Sequence, residues 1–132
     1  MTGESNLNTL LQNMSPVLRD KEYVFCTVEG DYQHYAELSP LASFQEDEGL
    51  TLVLSKEAAL SANLPSSSIF RLITLEVHSS LEAVGLTAAI SKALAAEGIS
   101  ANVMAAYYHD HIFVPGDRAQ DAMDALNQLK NP

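Results

Sequence analysis

Two periods of hydrophobicity divide the second half of this chain into elements. Residues 69–77 alternate, with Ile73, Leu75 and Val77 on one side and Thr74, Glu76 and the following His78 on the other. That period of two predicts a half-buried strand. After Ser79 and Ser80 the period lengthens. Leu86, Ile90 and Leu94 recur every fourth position, flanked by Ala89 and Ala93, which predicts an amphipathic helix over residues 85–97 whose small alanines let it lie close to a sheet. Gly98 is placed to end that helix in a left-handed conformation. A strand is expected from Ile99 to Tyr108, a turn at His109 and Asp110, and a returning strand over residues 111–114. Asp117, with Gln120 three residues on, reads as a helix start, and Ala119, Ala122, Met123, Leu126 and Leu129 trace the apolar stripe of that helix.

The first half is less regular. Leu7, Leu10, Leu11, Met14 and Leu18 fall on one helical face, interrupted near Ser15 and Pro16. Residues 23–29 and, roughly, 35–38 read as extended stretches separated by the turn signal Gly30-Asp31, so a hairpin is expected there. Residues 41–45 and 50–54 flank the acidic turn Glu46-Asp-Glu-Gly49, and Ser55 is placed to cap a short helix over residues 56–62. Pro65 and the serines that follow it mark the boundary between two halves.

The second half thus reads βαββα, with both helices able to cover one face of an antiparallel sheet. That is a ferredoxin-like plan of the α+β class. Within this order, the Gly85 turn, the run Leu94-Ala-Ala-Glu-Gly-Ile-Ser100 and the ending Tyr107-Tyr-His-Asp-His-Ile-Phe-Val114 resemble the pattern of ACT domains. The likeness is to the small bacterial proteins with two ACT-like halves in particular, and the cytosolic arginine sensors of animals carry similar domains. Upstream, Glu48-Gly-Leu-Thr-Leu-Val-Leu54 is similar to the first half of those proteins. The resemblance implies a ferredoxin-like βαββαβ ACT fold, with antiparallel sheets covered by helices. Residues 1–65 are expected to be an N-terminal ACT-like half and residues 66–132 the C-terminal ACT domain. The ACT plan ends on a fourth strand that the sequence after Leu129 does not supply. A first-half segment is therefore expected to complete the sheet, with residues 23–29 the best donor.

Composition narrows the partners. With 132 residues and 47% hydrophobic content, the chain can bury one continuous core. A formal charge of -10, from 17 acidic against 7 basic residues, repels phosphate backbones and anionic lipid. The basic residues, such as Lys21, Arg71, Lys92 and Arg118, are scattered, so neither nucleic acid nor a membrane is an expected partner. No signal peptide or bilayer-length apolar run is seen, and the single cysteine, Cys26, permits no intrachain disulfide; a cytoplasmic location is expected. Cys26 lies in an apolar run and reads as a core residue rather than a nucleophile.

The most prominent polar cluster is Tyr107-Tyr-His-Asp-His111, because His109 and His111 at i and i+2 could share a strand face and bind a transition metal. No third ligand is indicated, and a polar hairpin turn explains the same residues, so neither metal nor other cofactor is expected. In ACT domains this turn carries an Asp followed by an aromatic residue, from which His111 departs. Glu46, Asp47 and Glu48 read as a solvated turn. There is no phosphate-binding glycine loop, no Gly-x-Ser-x-Gly elbow and no zinc-protease helix, so no catalytic residues are assigned and an enzyme is not expected.

Gly85 offers something different. It lets the backbone approach a ligand closely, and the free N–H groups of a first helical turn suit a carboxylate. The ACT resemblance implies that an amino acid binds here, with Val84, Gly85, Leu86 and Thr87 as the cradle and Asn102, Val103 and Met104 lining the wall, often against a neighbouring ACT unit. Gly85 also serves a tight turn alone and Asn102 an exposed strand, in which case the chain is an assembly module without a ligand. The reading is a regulatory sensor of a small molecule, an amino acid by expectation, that has no catalytic domain and works as a homo-oligomer such as a dimer or through another protein.

Overall fold

Asn6 opens the first helix by accepting a hydrogen bond from the Thr9 amide at 3.1 Å, and α1 follows over Leu7–Asn13. Pro16 then begins a long strand, β1 (Pro16–Val28), because proline cannot continue the helix. This computed structural model describes residues 6–77 and 84–131. They form two compact units, one made of the chain up to Asp20 together with the chain from Arg71 onward, the other Lys21–Phe70.

In the larger unit the alternating segment becomes β4 (Phe70–Leu75), and the four-residue period becomes α3 (Leu86–Ala96). The hairpin strands β5 (Asn102–Ala105) and β6 (Asp110–Pro115) and the last helix, α4 (Ala119–Lys130), complete it. The strand order is β1-β4-β6-β5. Ile73, Leu75 and Val77 of the β4 segment, Ile112 and Val114 of β6, Leu86, Ile90 and Leu94 of α3, and Ala122 and Leu126 of α4 share one buried core. Both helices therefore cover the same sheet face, as the two apolar stripes require. Leu10 and Met14 of α1 join that core. Each fully buried large side chain of this kind contributes about 1.5–3 kcal/mol.

A first-half strand does complete this sheet: β1, to which residues 23–28 belong, is the hydrogen-bonded neighbour of β4, and its leading residues reach further along β4 than expected. The Glu76 amide donates to the Ser15 carbonyl at 2.8 Å, and the Arg71 guanidinium donates to the Arg19 carbonyl at 2.6 and 3.0 Å. The leading end of β1 thus lies beside β4. The run Arg19-Asp-Lys-Glu22 conceals it in the sequence, since all four side chains are exposed and interrupt the apolar pattern. Three further details differ from expectation. The β5–β6 turn closes by Ala106 N–H donating to the His109 carbonyl, and Asp110 is already paired with Ala105. Asp117 lies in a 3-10 turn, Gly116–Arg118, and no side chain caps α4. Gly98 ends α3 as expected, at φ +69°.

In the smaller unit, residues 23–28 of β1 pair antiparallel with β3 (Leu50–Ser55), and β2 (Ala42–Gln45) pairs with the other side of β3. Val24, Cys26 and Val28 meet Leu50, Leu52 and Leu54 in its core. Ser55 caps α2 (Lys56–Ser61) by accepting from the Ala58 amide at 3.2 Å. The expected strand near residues 35–38 is instead a 3-10 helix over Tyr32–Leu38, ended by Ser39 at φ +52°. Tyr35 and Leu38, three apart on that helix, pack against the core.

Candidate functional site

Gly85 adopts φ +97° and ψ -15° at the head of α3, a region that L-residues enter only at a cost. The first helical hydrogen bond runs from the Ala89 amide to the Gly85 carbonyl at 2.9 Å, and among the described residues no side chain caps this end. The amides of Leu86, Thr87 and Ala88 therefore precede the intrahelical pattern, where the positive end of the helix dipole adds to their pull on an anion. Val84 is 83% exposed and Thr87 is exposed. Leu86 is 3% exposed and its side chain belongs to the core, so only its backbone can face a ligand. A Cβ built on Gly85 would sit 3.2 Å from Cδ2 of Leu7, which places α1 against this turn. His78 to Ala83, which precede the turn in sequence, lie outside the described residues.

The expected wall does not lie beside this turn within the unit. Asn102 begins β5 beyond the far end of α3, whose 11 residues span about 16 Å at 1.5 Å each. Asn102 is exposed, Met104 is half-buried, and Val103 packs against the core. In the β5–β6 pairing Asn102 lies opposite Phe113 and Met104 opposite His111, so these side chains share the sheet face turned away from the helices. The cradle and the wall are thus separate features of one copy.

That second sheet face joins His111 to two residues that the sequence did not connect with it. Arg19 on β1 donates through Nε to Thr74 Oγ1 at 3.2 Å, and Thr74 Oγ1 lies 3.1 Å from Nδ1 of His111. Glu76 takes a hydrogen bond from the Arg19 guanidinium at 3.5 Å. Thr74 read as a water-facing strand residue, yet it is 1% exposed. Burial, then the charges of His109 and Arg19, hold the His111 imidazole below the ordinary histidine range, against the opposing pull of Asp110. Burial pushes the Asp110 carboxyl up, opposed by His111 and His109. Among the described residues no group of three His, Cys, Asp or Glu is placed to hold a metal ion. Cys26 is buried, and burial raises its thiol, which fits a core residue.

A polar groove of about 300 Å³ lies at the opposite end of α3 from Gly85, between Glu97 and the outer side of α4. Arg118 spans it, donating to Asp121 Oδ2 and to the Glu97 carbonyl, both at 2.9 Å. No helix among the described residues is long and apolar enough to cross a membrane.

Residues 2–71 match one description of the ACT domain and residues 67–128 match another. A protein of unknown function from Vibrio cholerae, described as a possible transport protein, is 58% identical over 95% of this chain and 96% of its own, with a TM-score of 0.88. A protein from Agrobacterium tumefaciens superposes with a TM-score of 0.74 at 12% identity, covering 89% of each chain. The regulatory subunit of aspartate kinase from Thermus flavus does so with a TM-score of 0.60 at 12% identity, covering 86% of this chain and 95% of its own. These last two likenesses are of fold. No curated protein matches the chain.

Proposed function

Because the chain belongs to the ACT domain family, matched twice along its length, we propose that it binds a free amino acid at the head of α3 and reports it by changing its association with itself or with a partner protein. The observation that carries this reading is a left-handed glycine at a helix start that no described side chain caps, where three backbone amides precede the intrahelical bonds and suit a carboxylate. The fold shared with a regulatory subunit of aspartate kinase supports a regulatory role. Ligand recognition would use both parts of the site. Since Asn102 lies beyond the far end of α3 from Gly85, the wall over one cradle would come from another copy, and β5, which among the described residues is bonded only to β6, is an edge that could supply it. A homodimer is the simplest such assembly.

Calorimetric titration of the full chain with each common amino acid, paired with sedimentation in the presence and absence of any that binds, tests the proposal. Binding of at least one amino acid with a shift in association state is expected. The variant Asn102→Ala should change which amino acid is preferred more than whether one binds, because it alters the wall and leaves the backbone cradle intact. If no amino acid gives heat or raises the melting temperature at millimolar concentration, the sensor reading fails and a purely assembling module takes its place.

A further inference from the structure

Arg19, Thr74 and His111 come from three neighbouring strands, β1, β4 and β6, and form one continuous hydrogen-bonded line across the sheet face opposite the helices. One order of donors and acceptors along it satisfies every group with a partner inside the line. The Arg19 Nε–H can only donate, so Thr74 Oγ1 accepts from it at 3.2 Å. The Thr74 hydroxyl then has its own proton to give, and Nδ1 of His111 at 3.1 Å accepts it. An accepting Nδ1 fixes His111 as the neutral imidazole with its proton on Nε2. We propose that this line is a proton-operated latch: neutral His111 closes it and holds the leading end of β1 in the sheet, and protonation of His111 opens it.

Protonation opens the line for two reasons. A proton on Nδ1 turns that nitrogen into a donor aimed at Thr74 Oγ1, and the Thr74 hydroxyl proton loses its acceptor at a position only 1% exposed. It also places a second cation beside the Arg19 guanidinium. The charged groups around His111 do not remove this conflict. From β1 comes Arg19, from β4 Glu76, which is already engaged with Arg19, and from the imidazole's own strand and turn Asp110 and His109. Opposite on β5 stands the uncharged Met104. Burial first, then the charges of His109 and Arg19, keep His111 below its ordinary range against the opposing pull of Asp110, in agreement with the geometry.

The sign follows by linkage. The unfolded chain protonates His111 near the ordinary 6.5 and the folded chain only at lower pH. Stability is therefore full above 6.5 and falls as the pH drops from there toward the folded value. Within that window the unfolding equilibrium constant rises by up to about tenfold per pH unit, the limit for one proton. Asp110 acts with the opposite sign. Its raised carboxyl stabilises the fold most below the ordinary 3.8, and that contribution is lost as the pH rises through its folded value.

Urea unfolding of the full chain from pH 7.5 to 5, with His111→Asn and Asp110→Asn alongside, tests the latch. Asn keeps an acceptor near the position of Nδ1 and cannot take up a proton, so His111→Asn should flatten the acid slope while Asp110→Asn keeps it. Amide exchange over residues 17–20 should quicken on acidification in the parent and not in His111→Asn. Nitrogen NMR of the parent should find the Nε2–H tautomer with a midpoint below 6.5. An unchanged acid slope in His111→Asn, or an Nδ1-protonated His111 at pH 7.5, overturns the latch. If His111→Asn fails to fold, the tautomer and midpoint measured in the parent decide.

Discussion

Replacing Gly85 by alanine separates what the backbone demands at this turn from what a ligand would gain there. At φ +97° an alanine enters the left-handed region at a cost of about 1–2 kcal/mol. Its Cβ also meets Leu7 Cδ2 at 3.2 Å, a few tenths of an ångström too close, but that atom is the far end of a side chain that can shift. The small gain from a less flexible unfolded chain does not apply, because alanine cannot adopt the native conformation freely. The expected loss for Gly85→Ala is therefore about 1–2 kcal/mol, and about 3 kcal/mol for the β-branched Gly85→Val. Gly98 is the internal control. It sits at φ +69°, near the centre of the left-handed basin, and a Cβ there meets nothing within 4 Å, so Gly98→Ala should lose about 1 kcal/mol or less. Guanidinium unfolding followed by circular dichroism reads all three. A Gly85→Ala variant within about 0.5 kcal/mol of the parent, or a greater loss in Gly98→Ala, refutes the assignment of strain to the helix head. Where Gly85→Ala stays folded, its amino-acid affinity reports on close backbone approach alone.

Two further predictions concern the fold. A fragment of residues 66–132 lacks α1 and β1 and would leave β4 as an open edge with Leu10 and Met14 missing from its core, so it should not fold cooperatively; a soluble fragment with a sigmoidal urea transition would contradict this. Ile90→Ala, at a fully buried position of α3, should cost about 2–5 kcal/mol by equilibrium unfolding, and a loss below about 1 kcal/mol would show that α3 packs less tightly than its burial indicates.

The strands and helices that sequence made legible are those whose period repeats long enough to exclude its rival. Leu86, Ile90 and Leu94 leave no alternative to a helix, and Ile73, Leu75 and Val77 none to a strand. Over the four residues 35–38 the pattern is too short to choose. Tyr35 and Leu38 are separated by three, which suits a 3-10 turn, and the intervening letters also allow an extended stretch. The leading end of β1 was hidden for a different reason: its charged residues face outward along a strand whose inner partners are supplied by backbone bonds to β4 rather than by an apolar run. Thr74 was misread because a pattern of polar and apolar letters assigns a face but cannot tell that Arg19 and His111 cover it.

The candidate site was legible as two fragments and illegible as a whole. A glycine at a helix head announces itself, and the structure adds why it matters to the rest of the chain. Leu7 of α1 lies against Gly85, and α1 packs into the same core as α3 and α4 before leading directly into β1. The residues that would sense a carboxylate at the Gly85 turn are therefore joined through one short helix to the strand that Arg19, Thr74 and His111 hold in the sheet. A ligand that binds one arrangement of this turn more tightly than another has a contiguous packed route to β1, and by reciprocity a proton on His111 has the same route back. The coupling is as large as the difference in affinity between the two arrangements and no larger, so measuring amino-acid affinity on either side of the His111 transition weighs both ideas at once.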